Sequence, residues 1–172
     1  MRDQADLRGA AVPVAFAPRF AGSETFNALF RDGMALVEET AAYLDGDGRR
    51  EAKGLSRIGG LTYATESMRL TSRLMQVASW LLLQRAVNEG EMQREQVLRE
   101  RAKVRLRGFE SLMTGAGWND LPDRLQDLVA RSMRLQGRIR MLDEAIYQPR
   151  PAPSSNPVAE QHGRLLAAFG RK

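Results

Sequence analysis

The chain of 172 residues contains no cysteine. Disulfides, thiolate nucleophiles and cysteine metal sites are excluded outright, and the composition fits a reducing compartment. There is a single histidine, His162, near the C-terminus. The pattern brings no carboxylate or nucleophile to it, and catalysis or metal binding needs a preorganised constellation. No glycine-rich loop ends in Gly-Lys-Ser/Thr or joins a strand to a helix, so nucleotide binding has no support. Asp45-Gly46-Asp47-Gly48 opens like a calcium loop. However, Arg49 stands where the third ligand belongs and no Glu occupies the twelfth position, so it reads as a turn. Glu38, Glu39 and Glu66 lack the histidine three residues on that carboxylate metal sites in bundles use. They read as solvated faces or surface ion pairs. The expectation is a protein with no catalytic residues and no cofactor.

A long uninterrupted apolar run is also missing. The richest stretch, Ser67 to Val87, is broken by Gln76 and bounded by Arg73 and Arg85. It falls short of the roughly 20 apolar residues a bilayer needs. The opening residues, MRDQADLRGAAVPVAFAPRF, have no sustained apolar core like that of a secretory signal, which points to the cytoplasm.

What that stretch does have is apolar residues around most of a helix. Met68, Met75, Ala78 and Leu82 form one line, Leu70, Leu74, Val77 and Leu81 a second, and Trp80, Leu83 and Val87 a third. Such a helix must be surrounded. One or two neighbours from the same chain leave part of it wet, so a second subunit is the natural cover. Trp80, Leu83 and Val87, with Leu81, are the residues expected at that interface.

The rest of the chain follows the helical period. Residues 1–20 read as a disordered tail. Ser23 is a candidate N-cap for a first helix over 23–45, striped by Phe26, Phe30, Gly33, Val37, Ala41 and Leu44 and widened by Leu29, Leu36 and Tyr43. Residues 45–60 read as a polar, glycine-rich connection, and a second helix is predicted over 61–88, stopped at Gly90. Residues 91–107 read as a short exposed helix and a less regular segment, and 108–118 as a loop. A third helix is predicted over 121–147, capped by Asn119 or Asp120, with Pro122 in its first turn. Leu121, Leu125, Leu128, Ser132, Leu135, Ile139, Leu142 and Ile146 keep strict 4-3 spacing along it, the seam of a coiled-coil-like bundle. Three long helices without alternating strands make an all-α, three-helix bundle over 21–147.

The charge balance is +5, from 26 basic and 21 acidic residues. It raises an acidic partner, nucleic acid included. Arg131, Arg134 and Arg138 share one face of the third helix, and Arg99, Arg101, Lys103, Arg105 and Arg107 cluster in the connector. Acidic residues interleave and no short recognition helix follows a glycine turn, so an ordinary solvated face is the first reading, an acidic protein partner the second and nucleic acid the last. Residues 148–172 open with QPRPAPSSNP, which reads as a second disordered tail. They close on Arg164-Leu165-Leu166-Ala167-Ala168-Phe169, which reads equally as a short segment that orders on binding and as a frayed end.

Residues 23–49, SETFNALFRDGMALVEETAAYLDGDGR, and 61–92, LTYATESMRLTSRLMQVASWLLLQRAVNEGEM, resemble the bacterial RcdA family, the regulators of CtrA degradation. The resemblance continues through KVRLRGF (103–109) and the helix between Trp118 and Leu142. It implies a three-helix homodimer without catalytic residues that acts as a proteolytic adaptor. Its implied partners are the protease ClpXP, with ClpX primed by the response-regulator-like CpdR, and cell-cycle substrates such as CtrA (through PopA) or TacA. It also implies a C-terminal extension that contributes to activity, and partners that could draw the protein to the cell pole. The reading from a different class is a basic, helical, nucleic-acid-associated regulator.

Overall fold

A computed structural model describes residues 24–147, apart from positions 105, 107, 109, 110 and 112. Ser23 and both terminal segments, with His162, Arg164, Leu165, Leu166 and Phe169, lie outside the described residues. The order is α1 (Glu24–Asp45), α2 (Asp47–Ala52), α3 (Arg57–Asn88), α4 (Arg94–Lys103) and α5 (Asp123–Tyr147). The protein is all-α, with no strand among the described residues.

The three long helices stand where periodicity placed them, with different starts. α3 begins at Arg57 because Ser56 caps it, its Oγ accepting from Gly59 N at 3.0 Å. The Ser56 hydroxyl also donates to Asp120 Oδ2 at 2.9 Å, pinning this end of α3 to the turn before α5. In α5, Pro122 precedes the helix, and its carbonyl accepts from Gln126 N at 3.1 Å. The turn predicted at 45–60 contains α2. Tyr43 donates to Glu51 Oε2 at 2.7 Å and folds that short helix onto the end of α1. The contact needs Gly48, where a Cβ would come within 2.9 Å of the Tyr43 ring and 2.6 Å of the Tyr63 hydroxyl.

Side-chain pairs set the direction of each helix. Arg73 with Ser132, Gln76 with Gln136, Trp80 with Asp143 and Gln84 with Tyr147 ascend together, so α3 and α5 run parallel. α1 runs antiparallel to both: Arg85 lies over the Phe30 ring and Glu39 meets Arg131. Gly33 lets α1 approach closely, since a Cβ there would sit 2.5 Å from Leu81 Cδ1. Parallel neighbours need a long return. Residues 89–122 provide it, running back along the pair: Arg101 meets Asp143, the Leu106 carbonyl accepts from Gln136, and the Ala116 carbonyl accepts from Thr62.

The core joins Phe26, Leu29, Leu36 and Tyr43 of α1 to Leu70, Leu74, Val77, Trp80 and Leu81 of α3. Leu121, Leu125, Leu128, Leu135 and Ile139 complete it from the last helix and its approach. The 4-3 seam of α5 is therefore internal, with Ser132 buried and Leu142 and Ile146 partly buried. On α1 the stripe is rotated: Thr40 is buried and Ala41 is exposed.

Two charged residues differ from their sequence reading. Arg73, taken as the end of an apolar run, is fully buried, and its Nη1 donates to Ser132 Oγ at 2.7 Å. Glu66, taken as solvated, is buried and accepts from Arg69 at 2.8 Å. Both sit on the α3 face covered by the rest of the chain, which the apolar lines alone did not reveal.

Leu81, with no exposed surface, should cost about 3–5 kcal/mol when cut to Ala. Met141, 69 % exposed, should change stability by less than about 0.5 kcal/mol on the same substitution. Urea unfolding followed by circular dichroism measures both.

Candidate functional site

Leu61, Met68, Met75 and Leu82 are exposed by 72 %, 71 %, 66 % and 51 %. They recur every seven residues, so they stack in one row on α3. Thr65, Ser72, Ser79 and Ala86 fall between them, completing a 4-3 alternation of large apolar and small residues. The hydroxyls of Thr65 and Ser79 turn back onto the carbonyls of Leu61 and Met75, at 2.9 and 2.8 Å. The small positions therefore present little polar surface outward. The row has the make-up of a helix-packing seam with none of the described residues packed on it.

Depressions flank this ridge. On the α1 side, Val37, Thr40, Ala41 and Leu44 meet Thr71, Met75 and Ala78 around a hollow of about 160 Å³. On the other side a groove of about 730 Å³ runs between Ser72, Ser79, Leu82, Leu83 and Ala86 of α3 and Met92, Glu100 and Val104. A ridge with hollows on both sides suits interdigitation with another helix.

The interface residues expected from sequence divide. Trp80 and Leu81 are 1 % and 0 % exposed within the single chain, so they have no surface to offer a second one. Trp80 faces α5, its Nε1 donating to Asp143 at 2.9 Å. Leu83 and Val87 are half-buried, Leu83 in the wall of the wider groove. The line left open is the one headed by Met68. Periodicity showed three apolar lines but not which two the chain itself would cover.

The basic residues divide in the same way. Arg131 forms a two-pronged pair with Glu39, at 2.9 and 2.8 Å, and reaches Asp127 at 3.2 Å. Arg124 meets the same Glu39 at 2.7 Å. The Arg131 guanidinium, by hydrogen bonding first, holds the Glu39 carboxyl below its ordinary range. Arg134 and Arg138, one and two turns on, are exposed, with no ion pair among the described residues. They border a shallow depression of about 420 Å³ with Asp32, Ala35, Leu36 and Leu135. In the connector, Arg101 binds Asp143 at 2.6 and 2.8 Å and lies over the Tyr147 ring at 4.7 Å. Lys103 pairs with Glu100, while Arg105 and Arg107 lie outside the described residues. Of the described connector cations, Arg101 is tied into the fold, Lys103 makes an exposed pair within its own helix, and Arg99 stands exposed.

Asp143 takes hydrogen bonds from both Trp80 and Arg101, and so ties α3, α4 and α5 together. Sequence reasoning passed over it. The usable signal was an indole on a buried line, which needs an acceptor. Elsewhere, Asp45 and Asp47 pair with Arg49 and Arg50. Among the described residues no group of three His, Asp or Glu side chains could hold a metal ion. No helix among them is long and apolar enough to cross a membrane.

Residues 17–169 match the family model described as a protein of unknown function (DUF1465). Among curated proteins, none matches the chain. Among solved structures, the chain is similar to RcdA from Caulobacter crescentus CB15, at 51 % sequence identity and a TM-score of 0.63. That match covers 77 % of this chain and 99 % of the RcdA chain. The chain belongs to the RcdA family. The resemblance read from the 23–49 and 61–92 segments thus extends over 99 % of a solved RcdA chain.

Two substitutions test the ionic contacts. Asp143→Ala should cost about 2–3 kcal/mol, less than a fully dry pair because 29 % of the Arg101 side chain stays exposed. It should also speed amide exchange across α4, read by hydrogen exchange with mass spectrometry. Because the folded-state pKa of Glu39 is lowered, its stabilisation is complete above the unfolded carboxyl range near pH 4.3 and is lost as pH falls through the folded value. Glu39→Gln should flatten that part of the stability-versus-pH curve, read by urea unfolding between about pH 3 and 6.

Proposed function

We propose that this protein is a non-enzymatic, dimeric adaptor that promotes regulated degradation of cell-cycle substrates by ClpXP. The observation that carries the reading is membership of the RcdA family, with 51 % identity over 99 % of the solved RcdA chain. An adaptor needs surfaces rather than a catalytic centre, and two such surfaces stand open on this body. The ridge of Leu61, Met68, Met75 and Leu82 fits a second copy of the chain. A contact between two such seams is isologous, each ridge entering the hollows of the other. Arg134 and Arg138, with the half-buried Arg131, fit a protein partner.

The segment after Tyr147, with Arg164, Leu165, Leu166 and Phe169, serves as a tether to ClpX primed by CpdR or to a substrate. Delivery requires no chemistry from the adaptor. Holding a substrate beside the protease raises its effective concentration, worth a factor of about 100 or more without new contacts. The protein acts in the cytoplasm, and its partners would carry it to the cell pole. The ion pairs that hold Arg131, Arg101 and Lys103 weigh against a nucleic-acid-associated regulator. Steeply salt-dependent binding to duplex DNA would reinstate that reading.

The test is a reconstituted degradation assay with ClpXP, CpdR and a substrate such as TacA. The full chain should accelerate substrate loss, and a chain ending at residue 147 should lose most of that acceleration while unfolding at the same temperature. Equal rates with the two chains would remove the tether from the account. No acceleration by the full chain would remove the adaptor.

A further inference from the structure

We propose that the face between α1 and α5 around Arg134 and Arg138 docks an acidic amphipathic helix of a partner protein. The charge balance changes along α5. On its first turns each arginine facing α1 is matched: Arg124 and Arg131 share Glu39, and Arg131 also takes Asp127. One turn later the matching stops. Arg134 and Arg138 lie four residues apart, both exposed, with no carboxylate of the described residues within ion-pair distance. Like charges at that spacing weaken a helix slightly, so the pair contributes nothing to the fold.

Beside them the surface is neither flat nor wholly polar. The depression of about 420 Å³ is edged by the exposed Ala35, with Leu36 and Leu135 buried beneath it. Further along the same outward stripe stands Met141, 69 % exposed. Guanidinium groups four residues apart, with the exposed Met141 one turn beyond them, match a helix carrying carboxylates one turn apart and leucine-like side chains on the adjoining positions. A small anion would satisfy the arginines and leave the apolar surface wet. Asp32, on the rim, disfavours a purely anionic ligand and is placed to meet a basic residue of the partner. The mode is docking of a helix along the α1–α5 face, with charge setting orientation and the exposed Met141 supplying apolar contact. It rests on the reading of this face as a partner surface and adds the chemistry of that partner; peptide binding and substrate degradation are read separately, so either can fail without the other.

The experiment uses the full chain and a fluorescein-labelled helical peptide of about 18 residues, with Glu at i and i+4 and Leu at i+3 and i+7. Fluorescence anisotropy should show saturable binding that weakens as salt is raised. Arg134→Glu with Arg138→Glu should weaken it about tenfold or more, and Arg134→Ala with Arg138→Ala should weaken it less. Arg140→Glu, an exposed control on the same helix, should leave it within about twofold. Changing both peptide Glu residues to Gln should reproduce the loss. No saturable binding overturns the proposal, as does an equal loss with Arg140→Glu, which would mean unspecific charge attraction. Tighter binding of duplex DNA that depends on the same two arginines would assign the face to nucleic acid and overturn it too. Unchanged thermal unfolding of the variants separates lost binding from a lost fold.

Discussion

The parallel packing of α3 against α5 is the constraint on which the rest of the structure depends. Two parallel helices cannot be joined by a short turn, so residues 89–122 must travel the length of the bundle. The α3–α5 boundary carries a polar contact at nearly every turn: Arg73 with Ser132, Gln76 with Gln136, Trp80 with Asp143, Gln84 with Tyr147. An apolar seam would tolerate sliding by a turn. Buried hydrogen bonds between specific partners do not, because a shifted register leaves donors without acceptors. Asp143 and Gln136 also hold the return segment, through Arg101 and the Leu106 carbonyl, so one register positions helices and strap together.

That arrangement decides which parts of α3 remain open. α1 and α5 cover the lines of Leu70, Leu74, Val77 and Leu81 and of Trp80, while Met92, Glu100 and Val104 face the side bearing Leu83 across the wider groove. Nothing of the described chain lies over Leu61, Met68, Met75 and Leu82. Their exposure is a consequence of topology, and their seven-residue spacing with small residues between makes the open face suited to one more helix. The same distinction between charge spent on the fold and charge left over separates Arg101, Arg124 and Arg131 from Arg134 and Arg138.

Much of this was legible in the sequence. The 4-3 seam from Leu121 to Ile146 marked α5 and its buried face, because a strict helical repeat records only the side that meets a core. The all-round apolar character of α3 called for cover beyond the chain. Its partner line could not be chosen, since the pattern of one helix does not state which neighbours arrive at which angle. For the same reason Trp80 and Leu81 looked available and are interior, Glu66 looked solvated or paired at the surface and is buried, and Arg73 looked like the end of an apolar run and is fully buried. Arg73 meets Ser132, 59 residues away in sequence. α2 was hidden because its six residues, Asp47–Ala52, carry no apolar stripe and are held by the Tyr43–Glu51 contact instead.

The account's central claim is that the Met68–Met75 row is a contact face for a second copy. The most direct measurement is sedimentation equilibrium of the full chain beside its Met68→Lys, Met75→Lys variant, at micromolar concentration. The account predicts a dimer for the unaltered chain and a monomer of unchanged helix content for the variant, since both side chains are more than half exposed within one protomer. A monomeric unaltered chain, or a variant that remains dimeric, would contradict it.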